Sequence, residues 1–348
     1  MKKILVFSII LCMALTMFVG CTGDESNETS QVGNNDVNDN NNNSENNEDT
    51  TNEFNVLVDQ VEVNDDSVTF IDAMDKEVTI EKNPQKVICL YNSYLDLWYD
   101  AGGEVIGRIE SRSKVPEGAM DAEVVGSMTA PNMEKIISME PDLLILRPGM
   151  QGHSEIIPIL EENEIPYLAI EYDNFNQYLY VTKIFTEING RDDLYEKNGA
   201  EISNKVKELV DKAPRDEEPT VLLMFASTRS VTVKLPNTFV GDMLQDLGAK
   251  NIAYDAQLTD EEMEVFSMEK VIERDPNFIL VQTMGDVEEI KEKLIEDVES
   301  NPAWSSLTAV KEGRYIFLPK DLYLYKPNAQ YAEAYQGLAE ILYPDTFK

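Results

Sequence analysis

The chain has 348 residues, and 65 acidic against 29 basic side chains give it a formal charge of −36 at pH 7. This acidity argues against nucleic acid or a bare anionic membrane surface as a partner, because both attract patches of Lys and Arg. A single histidine makes a histidine-built zinc site or a Ser-His-Asp hydrolase hard to assemble. The length suits about two domains of roughly 150 residues each.

The N-terminus has the features of an export signal. Lys2 and Lys3 precede an apolar run, Ile4–Val19, which is shorter than the roughly 20 residues of a spanning helix. The stretch 18–21, Phe-Val-Gly-Cys, resembles a bacterial lipobox. We therefore predict a signal peptide over residues 1–20 and lipidation of Cys21. A signal anchor with an incidental cysteine is the alternative.

Residues 21–53 are predicted to form a disordered tether behind the lipid. Residues 22–53 contain nine acids, no Lys or Arg and no aromatic residue, so they cannot build a core. A random coil of this length spans on the order of 30 Å. Once Cys12 is removed with the signal and Cys21 is acylated, the exported domain retains only Cys89, in an apolar run that predicts a buried strand thiol.

Short apolar runs alternate with helical patterns through the rest of the chain, which predicts mostly parallel sheet in two α/β lobes. A small β-hairpin is expected first, from 56–63, 67–72 and 77–81. Strands are expected at 86–90, 105–109, 142–146, 166–170, 220–225, 231–234, 278–281 and 315–318. Helices are expected at 94–101, 132–139, 154–163, 238–247, 267–274 and 287–299. The N-terminal lobe is assigned to 54–174, a connecting helical segment to 175–213, and the C-terminal lobe to 214–348.

An internal repeat indicates that the two lobes are related. Residues 133–146 read MEKIISMEPDLLIL and residues 268–281 read MEKVIERDPNFILV, with five identical positions. Each copy predicts a capped helix (cap Asn132 or Ser267), an acidic residue with a proline, and an apolar strand.

The order of several motifs gives a family resemblance. Asn-Pro-Gln-Lys at 83–86, Pro-Asn-Met-Glu-Lys at 131–135, Glu-Pro-Asp at 140–142, Leu-Gly-Ala at 247–249 and Asn-Pro-Ala-Trp at 301–304 resemble the iron-complex (siderophore or haem) and cobalamin substrate-binding lipoproteins of ABC importers. The resemblance covers about residues 67–345. It implies a periplasmic-binding-protein type of fold, with two Rossmann-like lobes joined by a long helix and a ligand in the cleft between them.

The resemblance also implies a role for two glutamates. Glu134 and Glu269 occupy matched first-turn positions of the repeated helices. Each gains about 0.3–1 kcal/mol locally from the helix dipole. In the family, such glutamates resemble docking charges that pair with arginines on the two permease subunits, and a dimeric permease needs one charge on each lobe.

Candidate ligand contacts follow from the rule that ligands bind beyond the carboxyl ends of parallel strands. Rings stack on planar ligands, and guanidinium groups bind anionic oxygens. The rule selects Tyr91, Tyr94, Arg147, His153, Tyr172, Arg229 and Tyr325, with Tyr323 and Lys326 beside the last.

His153 or a tyrosine is a possible axial ligand of haem iron, although a loop histidine is more often simply solvated. No motif for a resident metal site is present, and no cofactor is expected beyond a metal complex as cargo.

We predict a monomeric binding protein, not an enzyme, on the outer face of the cell membrane or in the periplasm. It would pass a small-molecule metal complex to an ABC permease dimer with its ATPase, without nucleic acid. A surface enzyme or chelatase, and a sensor or adhesin, are the alternatives from other classes. Siderophore, haem and cobalamin remain open as ligands, because the fold does not choose between them.

Overall fold

The computed structural model describes residues 54, 57–111, 114–254, 263–265 and 267–347. The predicted signal peptide, Cys21 and the tether lie outside the described residues. Within the described residues, no helix is long and apolar enough to cross a membrane.

The first described elements form a three-stranded antiparallel meander, β1–β2–β3. Its strands are β1 (Glu62–Val63), β2 (Ser67–Ile71) and β3 (Glu77–Glu81). Val68 and Phe70 of β2 are buried and alternate with less buried neighbours, as expected of a strand with one face on a core. The prediction of a strand over 56–63 is wrong in part, because the described part of it contains a 3₁₀ turn, Val58–Gln60, before the short strand β1.

The N-terminal lobe is built on a parallel five-stranded sheet with the order β10–β9–β4–β5–β6. Its strands and a small hairpin are β4 (Val87–Cys89), β5 (Gly107–Arg108), β6 (Glu123–Val124), β7 (Gly126–Ser127), β8 (Ala130–Pro131), β9 (Leu143–Leu146) and β10 (Tyr167–Ala169). The helices are α1 (Asn92–Asp100), α2 (Met133–Ser138), α3 (Gln151–Ser154) and α4 (Ile157–Glu162). β4 and β9 are buried throughout, as central parallel strands are.

The helix predicted over 154–163 is two helices, α3 and α4. Pro158 lies in the first turn of α4. A proline there lacks a backbone N–H and its ring would clash with the carbonyl four residues earlier, so one continuous helix through this point is excluded. Cys89 confirms its prediction: it is fully buried, and burial raises the pKa of its thiol to about 12.

The connecting segment consists of α5 (Phe175–Ile188), α6 (Asp192–Tyr195), a π-helical turn (Glu196–Ala200) and α7 (Glu201–Lys212). Asn174 caps α5 by accepting a hydrogen bond from the backbone N–H of Gln177 at 2.9 Å. The break after α5 falls at Gly190, whose φ of 63° suits glycine.

The C-terminal lobe contains a second sheet with the order β14–β12–β11–β15–β16, and β13 also pairs with β11. The elements are β11 (Thr220–Ser227), β12 (Val231–Lys234), α8 (Phe239–Asp246), β13 (Lys250–Asn251), β14 (Met263–Val265), α9 (Met268–Arg274), β15 (Phe278–Met284), α10 (Val287–Leu294), α11 (Thr308–Lys311), β16 (Tyr315–Phe317) and α12 (Lys320–Tyr323). β11, β15 and β16 are parallel, whereas β12 runs antiparallel to its neighbours. A π-helical turn, Ile295–Glu299, follows α10.

Two C-terminal helices were not predicted: α13 (Tyr331–Leu342) and α14 (Pro344–Phe347). The rings of Tyr331 and Tyr178 on α5 have centroids 4.7 Å apart, and those of Tyr335 and Phe175 are 5.7 Å apart. These contacts place α13 against the connector. One hydrophobic cluster therefore runs from the first sheet through α5 and α13 to the second sheet.

The repeat predicted from the sequence is structural. Each copy is a helix followed by a central strand, α2–β9 and α9–β15, and each has an acidic residue with positive φ before its proline: Glu140 at 48° and Asp275 at 36°. Asn132 caps α2 by accepting from the N–H of Lys135 at 3.0 Å. Ser267 makes no such side-chain bond to α9, so that part of the prediction is wrong.

Candidate functional site

The carboxyl ends of three neighbouring parallel strands bring polar side chains together in the N-terminal lobe. Tyr91 follows β4, Arg147 follows β9, and Glu171 follows β10. These strands are adjacent and parallel, so their ends meet at one edge of the sheet, where ligands bind in open α/β folds. Arg147 connects the three side chains.

Arg147 forms an ion-paired network in this position. Its Nε and Nη2 donate to Oε1 of Glu171 at 2.9 and 2.6 Å. Nη2 also lies 3.7 Å from Oδ2 of Asp173. Nη1 donates to the hydroxyl of Tyr91 at 3.4 Å, and the guanidinium carbon lies 5.7 Å from the centre of that ring.

The charge of Arg147 is secure in this network. Burial alone would lower its pKa, but Tyr91 and the hydrogen bonds that Arg147 donates to Glu171 together raise it above the usual arginine value. The guanidinium therefore stays protonated at any physiological pH, and its hydrogen bonds to Glu171 persist.

A second cation reaches the same edge from the C-terminal lobe. Lys326, in the loop after α12, donates to the backbone carbonyl of Tyr172, and its Nζ lies 2.9 Å from Oδ1 of Asp173. The ammonium group also lies 4.4 Å from the centre of the Tyr172 ring. The loop that follows the last strand of one lobe thus joins the strand ends of the other.

Asn328 strengthens this junction. Its φ of 49° is unusual for a residue other than glycine. Its Oδ1 accepts from the hydroxyl of Tyr172 at 2.6 Å, and its Nδ2 donates to the carbonyl of Ser93 at 3.0 Å. Because Asn328 is buried, these two bonds fix the 326–328 loop against α1 and the end of β10.

Tyr94 and Tyr172 are placed beneath the site. Both side chains are fully buried. The hydroxyl of Tyr94 donates to the carbonyl of Ile170 at 2.8 Å, and the Tyr94 ring lies 4.6 Å from that of Tyr91 and 5.5 Å from that of Tyr172. Burial raises the pKa of both phenols well above the usual tyrosine value. They support Tyr91, which is the half-buried ring of the three.

His153 is not the solvated loop histidine that the sequence favoured. It is fully buried in α3, and its Nδ1 accepts a hydrogen bond from the backbone N–H of Arg147 at 3.0 Å. Burial lowers its pKa, so the ring is neutral and carries its proton on Nε2. Because Nδ1 accepts the backbone N–H of Arg147 and Nε2 carries the proton, neither ring nitrogen has a lone pair available for a metal. His153 therefore positions Arg147 and is poorly placed to ligate iron.

Arg229 and Tyr325 lie on the surface of the C-terminal lobe. Arg229 is exposed in the turn between β11 and β12, where its backbone N–H donates to Oγ of Ser227 at 3.2 Å. Tyr325 is 44% exposed, directly before Lys326. Among the described residues, neither side chain contacts the Arg147 network. Ligand contact by any of the seven predicted residues remains a prediction.

Sequence reasoning missed Glu171, Asp173 and Asn328. The two acids flank Tyr172 immediately after a predicted strand, so the strand-end rule that selected the tyrosine also applied to them. Aromatic and cationic side chains give the stronger sequence signal for a ligand site, whereas the role of these carboxylates, which is to neutralise Arg147 and Lys326, becomes visible only in the structure. Asn328 carries no comparable signal, because its contacts come from a different lobe.

The paired glutamates lie where the repeat predicts them. Glu134 is in the first turn of α2 and Glu269 in the first turn of α9, and both are exposed. Within the described part of the chain, neither forms an ion pair. Both carboxylates therefore lie on the protein surface, where a partner can reach them.

A separate cavity of about 530 Å³ lies beside the π-helical turn of the connector, away from the strand ends. Arg191, Lys197 and Lys205 line it together with Asp100 and Glu201, so cations outnumber carboxylates in its wall. No group of three or more His, Cys, Asp or Glu side chains that could hold a metal ion occurs among the described residues.

Residues 87–322 match the family model described as periplasmic binding protein. The chain belongs to this family. The match covers most of both lobes and the connector, and it confirms the predicted family and fold class.

Similar proteins include two from Bacillus subtilis. One is the ABC transporter substrate-binding lipoprotein YvrC, 28% identical over 291 residues, with 81% of this chain and 87% of YvrC covered. The other is the Fe(3+)-citrate-binding protein YfmC, 24% identical over 254 residues, with 70% and 76% covered. Among solved structures, Staphylococcus aureus IsdE complexed with heme superimposes with a TM-score of 0.64 at 17% identity, covering 74% of this chain and 98% of IsdE. That likeness shows a shared fold.

Proposed function

We propose that the protein is the substrate-binding component of an ABC importer and captures an iron complex outside the cytoplasm. The observation that carries the proposal is the cluster of Tyr91, Arg147, Glu171, Asp173 and Lys326, in which side chains of both lobes meet at strand ends. The family membership and the names of YfmC and IsdE support iron complexes as the ligand class. The protein acts as a carrier without a catalytic step.

Tyr91 and Arg147 are the proposed contacts in the N-terminal lobe. Tyr91 offers a ring for stacking and a hydroxyl for hydrogen bonding, and Arg147 offers donors at its side. Arg229 and Tyr325 are the proposed contacts in the C-terminal lobe, because both are exposed in loops that follow its strands.

Titration calorimetry with a ferric siderophore, haem and cobalamin tests the ligand class. We expect saturable binding of an iron complex, and Tyr91→Ala to weaken it at least tenfold, the scale of a lost stacking and hydrogen-bonding contact of about 1.4 kcal/mol. Tyr254→Ala is the matched control, because Tyr254 is an exposed tyrosine on the other lobe. Binding of cobalamin alone would replace iron complexes as the cargo. No binding of any of the three would contradict the proposal.

We also propose that Glu134 and Glu269 dock the protein onto the two subunits of the permease. The support is their matched placement on the repeated helices and their exposure. Exchanging both for alanine is expected to abolish uptake of the complex while its affinity for the isolated protein stays unchanged. Glu162→Ala together with Glu288→Ala, which remove two other exposed helical carboxylates, should leave uptake intact. Normal uptake by the docking variant would refute the assignment.

A lipid on Cys21 would hold this monomeric protein at the outer face of the membrane, or in the periplasm. The support is the signal-like N-terminus and the lipoprotein name of YvrC. Cys21→Ala is expected to move the protein from the membrane fraction to the medium or the periplasm. Continued retention in the membrane fraction would reject the anchor.

A further inference from the structure

The cations of the strand-end cluster are already neutralised by carboxylates of the chain itself. Two positive charges, on Arg147 and Lys326, face two negative ones, on Glu171 and Asp173. The carboxylates are the more accessible partners: the side chains of Glu171 and Asp173 are 32% and 36% exposed, whereas those of Arg147 and Lys326 are 20% and 8% exposed. An incoming ligand therefore meets acidic oxygen and a phenol before it meets a cation.

The donors of Arg147 are also largely occupied. Three of its hydrogen bonds, from Nε, Nη2 and Nη1, go to Glu171 and Tyr91. An anionic ligand that accepted hydrogen bonds from the Nε and Nη2 groups of Arg147 would have to displace Glu171 and leave that carboxylate without its partner. Glu171 would then lie beside the anionic ligand, and like charges at close range repel each other.

The geometry points to selection by charge: we propose that this site favours metal complexes that are neutral or positively charged over complexes that carry several negative charges. The proposal rests on the function proposed above and names the chemical class of its ligand. A neutral or cationic complex leaves the Arg147–Glu171 bonds in place, stacks on Tyr91 and uses the exposed carboxylate oxygens as acceptors.

Two further charges bear on the selection. Arg229 is an exposed cation after β11, so the C-terminal lobe supplies one positive charge that a single negative charge on the ligand would satisfy. The formal charge of the whole chain, −36, acts in the opposite sense by repelling anions during approach. The site therefore tolerates a single negative charge on the ligand and disfavours ligands that carry several.

Calorimetry with three hexadentate ferric complexes of different charge tests the inference: a cationic linear trihydroxamate, a neutral cyclic trihydroxamate and a tricatecholate that carries three negative charges. We expect either trihydroxamate to bind at least about tenfold more tightly than the tricatecholate, the scale of one uncompensated charge contact. Raising the salt concentration should narrow the difference, because salt screens exposed charges.

Glu171→Gln identifies the residue responsible. It removes one negative charge and weakens the hold on Arg147, so the affinity for the tricatecholate relative to that for the neutral complex should rise about tenfold. Glu162→Gln changes the net charge equally at an exposed position on α4, and we expect it to change neither affinity.

The outcomes separate the two proposals. Tightest binding of the tricatecholate would overturn the charge selection and leave an iron-complex carrier in place. Equal effects of Glu171→Gln and Glu162→Gln would assign the selection to overall charge and overturn the role of the strand-end cluster. Failure of all three complexes, together with haem and cobalamin, would overturn both proposals.

Discussion

The two copies of the repeated helix–strand unit have kept the same framework but differ where the strand ends. In each copy an acidic residue with positive φ precedes a proline, and the next side chain holds the neighbouring central strand. Asp142 accepts from the N–H groups of Gln85 and Lys86 at 2.7 and 2.9 Å. Its counterpart Asn277 accepts from the N–H of Thr220 at 2.8 Å.

The residues that follow the matched strand positions are unlike each other. Arg147 is half-buried and ion-paired at the proposed site, whereas its counterpart Gln282 is 3% exposed and donates to the carbonyl of Tyr323. The duplicated positions thus preserve the scaffold, but β9 ends before Arg147 whereas β15 continues through Gln282 to Met284. The position that carries a charged, half-buried side chain in one lobe is therefore buried inside a strand in the other.

The first helices of the two lobes likewise share a framework and differ in their surroundings. Asp96 and Asp100 on α1 match Asp242 and Asp246 on α8 in spacing, and each helix is followed by a glycine with φ of 82°, Gly102 or Gly248. Burial and the second carboxylate raise the pKa of Asp96 to about 6 and that of Asp242 to about 7; near Asp96, Lys114 acts in the opposite direction.

The largest effect on stability is expected from Asp242→Asn. Because the pKa of Asp242 is raised on folding, the native state binds more protons than the unfolded state between about pH 4 and pH 7. The free energy of unfolding therefore falls as the pH rises through this window. Removing the charge should stabilise the protein by about 2 kcal/mol at pH 8 and by much less at pH 4.

Urea unfolding of the wild type and the variant at both pH values measures this effect. Asp96→Asn should give a smaller gain, because its pKa is raised less. Asp65→Asn, at an exposed position, is the control. An equal gain at pH 4 and pH 8 would show that ionisation of Asp242 is not the cause.

The side chains that hold the central strands, Asn277 and Asp142, should also contribute differently to the free energy of unfolding. Asn277→Ala should cost about 2 kcal/mol, because it leaves the half-buried N–H and hydroxyl of Thr220 without their acceptor. Asp142→Ala should cost about 1 kcal/mol, because its bonds lie nearer to solvent. Denaturant unfolding measures both values.

Exchange of the matched residues provides the control for this pair. Asp142→Asn and Asn277→Asp each retain an oxygen acceptor at the same position, so we expect smaller losses than for the alanine variants. If the exchanged variants were as unstable as the alanine variants, the two side chains would not serve equivalent roles.

Much of the fold could be predicted because it depends on local patterns. The apolar run of β9, the break at Gly190 and the repeat around Pro141 and Pro276 all have signals within a few residues. The C-terminal helix α13 was missed although its alternation of small and aromatic residues is helical. Its packing partners on α7 and α5 lie far earlier in the chain, so the sequence around it does not indicate them.

The site could be predicted only in outline, for a related reason. The strand-end rule located Tyr91 and Arg147 correctly at one edge of the sheet. It could not indicate that Tyr94 is turned into the core, that His153 accepts from the Arg147 backbone, or that Lys326 arrives from the other lobe. These features depend on side-chain direction and on contacts between distant segments, which neither spacing nor composition encodes.

The smallest effect on stability is expected from Arg147→Gln, which places the Gln282 side-chain type at the matched strand end. Its partners Glu171 and Asp173 are about one-third exposed, so water can solvate them, and the free energy of unfolding should change by less than about 1 kcal/mol. Arg191→Gln, which breaks another arginine–carboxylate pair, should also leave stability unchanged within error. The two variants should differ in ligand affinity. Loss of Arg147 removes the hydrogen bond to Tyr91 and leaves two unpaired carboxylates in the site, so affinity for an anionic iron complex should fall most. Arg191→Gln should bind the complex as the wild type does. Equal binding by both variants would mean that Arg147 does not contribute to ligand binding.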